Sequence, residues 1–125
     1  MAAPFRTLKA WQHAHRLAVE CGKAIRTFPE QDLGVIADQL LRASASVPLN
    51  IAEGCSRRGS REFRRSLDVA RGSLAEVESA LELARDLGYL SSDEYERLAA
   101  IAVETSKTVW GLLRKVSLSV ARPAD

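Results

Sequence analysis

Only two cysteines and two histidines occur in the 125 residues, aromatics make up 6%, and no apolar run is long. Each shortage excludes something. Two cysteines, Cys21 and Cys55, cannot build a disulfide framework, and in a reducing compartment both are expected as thiols with no redox or metal role. His13 and His15 lie two residues apart, so on a helix they project from different sides and cannot form a ligand pair. No stretch approaches the roughly 18 apolar residues that span a bilayer. The start, MAAPFRTLKAW, has Arg6 and Lys9 but no uncharged hydrophobic stretch behind them, so no signal peptide is expected and the cytoplasm is the default compartment. No Gly-rich phosphate loop, nucleophile elbow or Cys/His metal spacing appears, and no cofactor is implied.

What remains is Ala- and Leu-rich, 46% hydrophobic and 27% charged, without sustained period-two alternation. This composition predicts one all-α domain. Leu8, Trp11, Ala14, Leu17, Ala18, Cys21, Ile25 and Phe28 recur at helical spacing, predicting a first helix over 8–27. FPEQDLG breaks it. Phe63, Leu67, Ala70, Leu74, Val77, Leu81 and Ala84 alternate steps of four and three, a coiled-coil-like seam predicting a helix over 60–87 that stops at Gly88. Ser91 and Glu94 fit a capping box for a last helix over 92–119, with residues 120–125 as a tail.

The second helix contains a proline. Ile36, Leu40, Ala43, Val47 and Ile51 keep their apolar phase across Pro48. A proline that ended the helix would leave no reason for that phase to persist. The expectation is one helix over 33–55, kinked near Ser44–Pro48, with Ser44 and Ser46 helping to satisfy the backbone groups the ring frees. The alternative is two shorter helices. Four rods of about 30–40 Å joined by short loops imply an antiparallel up-down-up-down four-helix bundle.

The net charge of +2 conceals segregation. Residues 57–71 hold Arg57, Arg58, Arg61, Arg64, Arg65 and Arg71 against Glu62 and Asp68. Residues 72–104 are strongly acidic, with only Arg85 and Arg97 among their carboxylates. Arg61, Arg64 and Arg65 fall opposite the apolar seam of their helix, making a basic patch whose only nearby aromatic is the inward-facing Phe63. Guanidinium forks suit phosphate, so the patch points to a nucleic-acid backbone, with Lys9, Arg16, Lys107, Arg114 and Lys115 as further contacts. The plainer reading is a solvated face of Arg–Glu and Arg–Asp pairs.

Asn50 and Glu53, one turn apart, and Ser73 and Glu76, also one turn apart, lie beside the seams of the second and third helices. Glu53 and Glu76 as acid and base, or as metal ligands, would make a hydrolase. The bundle metal sites that use Glu-x-x-His pairs have no counterpart here, so a structural polar network of Asn50, Glu53, Ser73 and Glu76 is the expectation. Arg6 and His13 match the arginine–six residues–histidine pattern of bundle-type ribonucleases, but at the chain start rather than where such motifs sit.

From Phe5 to about Leu113 the chain resembles a bacterial four-helix-bundle family, on SVPLNIAEG, a basic turn before EF, GSLAE and LGYL in that order. The family includes proteins encoded by intervening sequences of large-subunit ribosomal RNA genes and, as relatives, the accessory variability proteins of diversity-generating retroelements. The resemblance implies Pro48 inside the second helix and a homopentameric ring. It also implies basic surfaces that bind nucleic acid and, among the retroelement relatives, a reverse transcriptase. It assigns no catalytic role to the motif residues Asn50, Glu53, Gly54, Ser60, Glu62, Phe63, Gly72, Ser73 and Glu76. RRGSREF varies the basic turn. The reading is a non-enzymatic, oligomeric protein that binds RNA or DNA phosphates; the alternative is a protein-binding scaffold, and a ribonuclease or other hydrolase is remote.

Overall fold

Residues 5–57 and 59–121 are described by the structure, a computed structural model. Pro48 lies buried inside one unbroken helix. The four helices are α1 (Lys9–Ala24), α2 (Val35–Ser56), α3 (Ser60–Asp86) and α4 (Ser92–Ala121), with short 3-10 turns at Phe5–Thr7, Ile25–Thr27 and Glu30–Asp32. On α2, Leu40, Ala43, Val47 and Ile51 are all buried, so the same face enters the core before and after the proline. The ring costs α2 the bond to the Ser44 carbonyl. The serine hydroxyls do not replace it: Ser44 donates to the Leu41 carbonyl (3.2 Å), and the Ser46 hydroxyl is turned toward α3.

Helix ends follow local chemistry. The first helix tightens to 3-10 over Ile25–Thr27 instead of continuing as α-helix. Leu33 and Gly34 are left-handed (φ 51° and 78°), which delays α2 to Val35. Across that turn the buried Asp32 carboxylate accepts the amides of Ile36 (3.0 Å) and Ala37 (3.0 Å), satisfying donors that the helix itself cannot. Gly88 (φ 81°) ends α3: Tyr89 donates to Ala84 (2.8 Å) and Gly88 to Arg85 (3.0 Å), a Schellman closure. Ser91 accepts the Glu94 amide (3.1 Å), while the Glu94 carboxylate turns to Arg97. Only the serine half of the expected capping box is therefore made. Helix α4 continues through Val120 and Ala121, where the sequence suggested a tail.

Side-chain pairings give the topology. On α2 and α3, Gln39 meets Glu76, Ser46 meets Ser73, and Gly54 abuts Ser66. On α3 and α4, Arg71 lies over Trp110 and Arg85 over Tyr95. On α1 and α4, Glu20 meets Arg97, and Lys9 shares a hollow with Lys115. Numbers rise on one helix as they fall on its partner, so every consecutive pair is antiparallel. Among the described residues the backbone of α1 runs alongside those of α2 and α4 but not of α3, and the backbone of α2 does not run alongside that of α4. The helices thus stand at the corners of a four-cornered, up-down-up-down bundle. All four supply its one apolar core, from Leu17, Leu40, Leu67 and Leu98 to Ile51 and Val109.

Candidate nucleic-acid interface

The antiparallel register decides which basic residues meet. The start of α3 lies beside the end of α4. Between them runs a groove of about 540 Å³ lined by Arg64, Asp68, Arg71, Trp110, Leu113, Arg114, Ser117 and Leu118. A second hollow of about 280 Å³, lined by Arg61, Arg64, Arg65, Asp68 and Val120, extends it toward the start of α3. Arg61, Arg64, Arg65, Arg71 and Arg114 are all exposed, and Asp68 is the one carboxylate among the lining residues.

These arginines have no carboxylate partners among the described residues. Among the described residues none of the five forms an ion pair, and Asp68 bridges none of its neighbours. Arg61, Arg64 and Arg65 stand three and four residues apart, a like-charge spacing that destabilises a helix unless an anion intervenes. The hairpin turn between α3 and α4 is the opposite. There Arg85 is held by Asp86 (2.9 Å) and Glu82 (3.8 Å), and Arg97 by Glu94 and Glu20 (2.6 Å each). The α3–α4 hairpin is basic at its open end and acidic at its turn.

The other sequence candidates separate. Arg57 pairs with Glu53 (3.8 Å) at the end of α2, and Arg58 falls outside the described residues. Lys9 and Lys115 flank a hollow on the α1–α4 side with Leu8, Thr108 and Leu112. Arg16 lies further along that side with His13, Arg97 and Glu104, and Lys107 is paired with Glu104 (3.8 Å). Arg114 and its neighbour Lys115 therefore serve different faces of α4. Arg6 lies over the Phe5 ring and does not line the hollow that holds His13.

The polar network is smaller than expected. Asn50 donates to the Ser46 carbonyl (2.8 Å) and hydroxyl (3.0 Å), and Ser46 shares a 2.8 Å bond with the buried Ser73. Gln39 donates to Glu76 (2.7 Å) two turns away, at an exposed position. Glu53 takes no part: its carboxylate is exposed and paired with Arg57, because the seam here passes through Gly54 instead. Glu53 and Glu76 thus do not face a common site. No cluster of three or more His, Cys, Asp or Glu suited to a metal occurs among the described residues. Cys21 is fully buried in α1, and burial, reinforced by Glu20, pushes its thiol up to about 12 against the opposing effects of Arg97 and Ser44.

One groove residue escaped the sequence reading. Trp110 is 49% exposed, with the Arg71 guanidinium 5.0 Å from its ring centre. The basic patch therefore does carry an aromatic, supplied by a different helix. The signal was available: Trp110 precedes Arg114 by four residues, off the Val109–Leu112–Val116 seam, and antiparallel pairing sets it level with Arg71.

The family described as 23S rRNA-intervening sequence protein matches residues 6–111. No curated protein matches the chain. The fold is similar to the crystal structure of a protein of unknown function from the S23 ribosomal protein family of Bacteroides thetaiotaomicron. The TM-score is 0.79 at 24% identity, covering 84% of this chain and 95% of that one.

Proposed function

From the premise that the chain belongs to the 23S rRNA-intervening sequence protein family, we propose that it is a non-enzymatic, cytoplasmic, oligomeric protein that binds nucleic-acid phosphates. The observation that carries this reading is the α3–α4 groove, where five exposed arginines face one carboxylate and none is neutralised by an ion pair among the described residues. Planar guanidinium groups match phosphate oxygens through paired hydrogen bonds. Contacts of this kind hold a backbone without reading its sequence. A single groove is small, and repetition around an oligomer would multiply its grip.

Assembly, as the pentameric ring that the family resemblance implies, is supported by an apolar strip on the α2–α3 side. Ser73 opposite Ser46 and Ser66 opposite Gly54 set Val69 level with Asn50, next to Leu49. Leu49 is 66% exposed and Val69 49%. The alternative scaffold reading draws on the acidic turn of the hairpin, which suits a basic protein partner.

Affinity for RNA measured against salt tests the proposal. Wild-type affinity should fall steeply, and replacing Arg61, Arg64 and Arg65 by Ala should reduce the log–log slope by about 2 to 3, near 0.7–0.9 per lost phosphate contact. An unchanged slope, or no binding at low salt, refutes it. Light scattering reads the oligomer directly, and capture of a protein partner that survives nuclease treatment would favour the scaffold.

A further inference from the structure

We infer that the α3–α4 groove takes single-stranded nucleic acid, with a base stacked on Trp110; this rests on the phosphate-binding reading above and names the form of its ligand. Three observations combine. The indole is half exposed in a groove that also holds Arg64, Arg71 and Arg114, although a large apolar ring is normally withdrawn from water. Leu113 and the 69% exposed Leu118 extend the apolar surface along α4, so the groove has a positive α3 side and a partly apolar α4 side. Arg71 sits over the indole, so a base stacking on that face displaces the guanidinium and frees it for the adjoining phosphate.

A phosphate backbone alone has no use for the apolar side. In a duplex the base faces are stacked on one another and cannot reach an indole in a groove. A single strand exposes both: phosphates for the arginines and base faces for the ring. This pairing of an electrostatic track with an aromatic platform is how proteins hold unpaired strands. The dimensions agree. Arg61 to Arg71 spans ten residues of helix, about 15 Å at 1.5 Å per residue, the length of about four stacked nucleotides. A strand laid along α3 would pass Arg61, Arg64 and Asp68 before a base reached Trp110.

The test uses a short oligoadenylate, an abasic oligomer of the same length and a duplex of that length, with binding followed by anisotropy. The intact protein should bind the oligoadenylate about 5- to 150-fold more tightly than the abasic oligomer, the contribution of one stacked base. Trp110→Ala should bring the oligoadenylate and the abasic oligomer to equal affinity, with the salt slope unchanged. Trp110→Phe should retain most of it. In a Trp11→Phe background, whose groove is untouched, oligoadenylate should quench the emission of Trp110 and the abasic oligomer should not. Equal binding of the two oligomers by the intact protein, an undiminished preference in Trp110→Ala, or unquenched emission overturns the inference. So does an acidic peptide of matched charge that competes as well as the oligoadenylate. The triple arginine variant separates the two claims. If it weakens all three nucleic acids while Trp110→Ala changes none, the stacking fails and the phosphate reading stands; if no nucleic acid binds at low salt, both fail.

Discussion

Gly54 is the position where one added methyl group should be felt most. A Cβ built there would stand 2.7 Å from the Ser66 Cβ and 2.9 Å from the Phe63 ring. Carbon atoms rest at about 3.5–4.0 Å, so α2 and α3 would have to part by about 1 Å at the end that carries the arginines. The Ser66 Cβ is bonded to the helix backbone and cannot rotate aside. The cost therefore belongs in the upper part of the roughly 1–3 kcal/mol seen for overpacked cores. Alanine recovers about 1 kcal/mol in helix propensity over glycine. Gly54→Ala should thus lose about 2 kcal/mol net. The helical glycines Gly22, Gly72 and Gly111 have nothing within 4 Å of an added Cβ, and the same change there should gain about 0.5–1 kcal/mol each. Urea unfolding at one protein concentration, compared at equal slope, reads both signs. Adding Ser66→Gly to Gly54→Ala should restore more stability than additivity allows, since the two sites touch. If Gly54→Ala is as stable as the wild type, the close approach of α2 to α3 is wrong, and with it the placement of the groove's α3 side.

Two further outcomes follow from local chemistry. Asp32→Ala removes the acceptor for the Ile36 and Ala37 amides and should cost about 1–2 kcal/mol in the same urea assay, with Asp32→Asn losing less; equal stability of all three proteins would refute the capping role. Arg97 holds the Glu20 carboxyl below its ordinary value of 4.5, helped by Lys23 and opposed by partial burial. A lowered folded value stabilises above the unfolded one and is lost as pH falls through the folded value. Arg97→Met should therefore cost about 1 kcal/mol or less at pH 7, and the gap to wild type should shrink on acidification below pH 4.5; a gap of constant size argues against the pair.

Periodicity carried far because core burial is repetitive. Leu40, Ala43, Val47 and Ile51 had to remain on one face to be buried, and that requirement shows through Pro48 in their spacing alone. Gly88 announced the end of α3 because a left-handed residue closing a helix favours glycine. The arginines of α3 were visible because like charges at helical spacing are a local pattern. Asp32 was harder to see: its carboxylate reaches over a left-handed Leu33, a conformation that leucine gives no reason to expect.

Pairings between helices escaped because they depend on register and rotation, not on any helix alone. Glu53 looked like a partner of the α2–α3 seam until the rotation of α2 put Gly54 there and turned Glu53 to solvent. Arg114 and Lys115 looked equivalent until α4, wedged between α1 and α3, gave one to each side. Local order in this protein, helices, stops and the arginine cluster, was written in the spacing of its residues, because backbone geometry repeats every few positions. The meeting of Trp110 with Arg71 was decided by tertiary structure alone, because side chains 39 positions apart come together only when the packing of two whole helices sets their register.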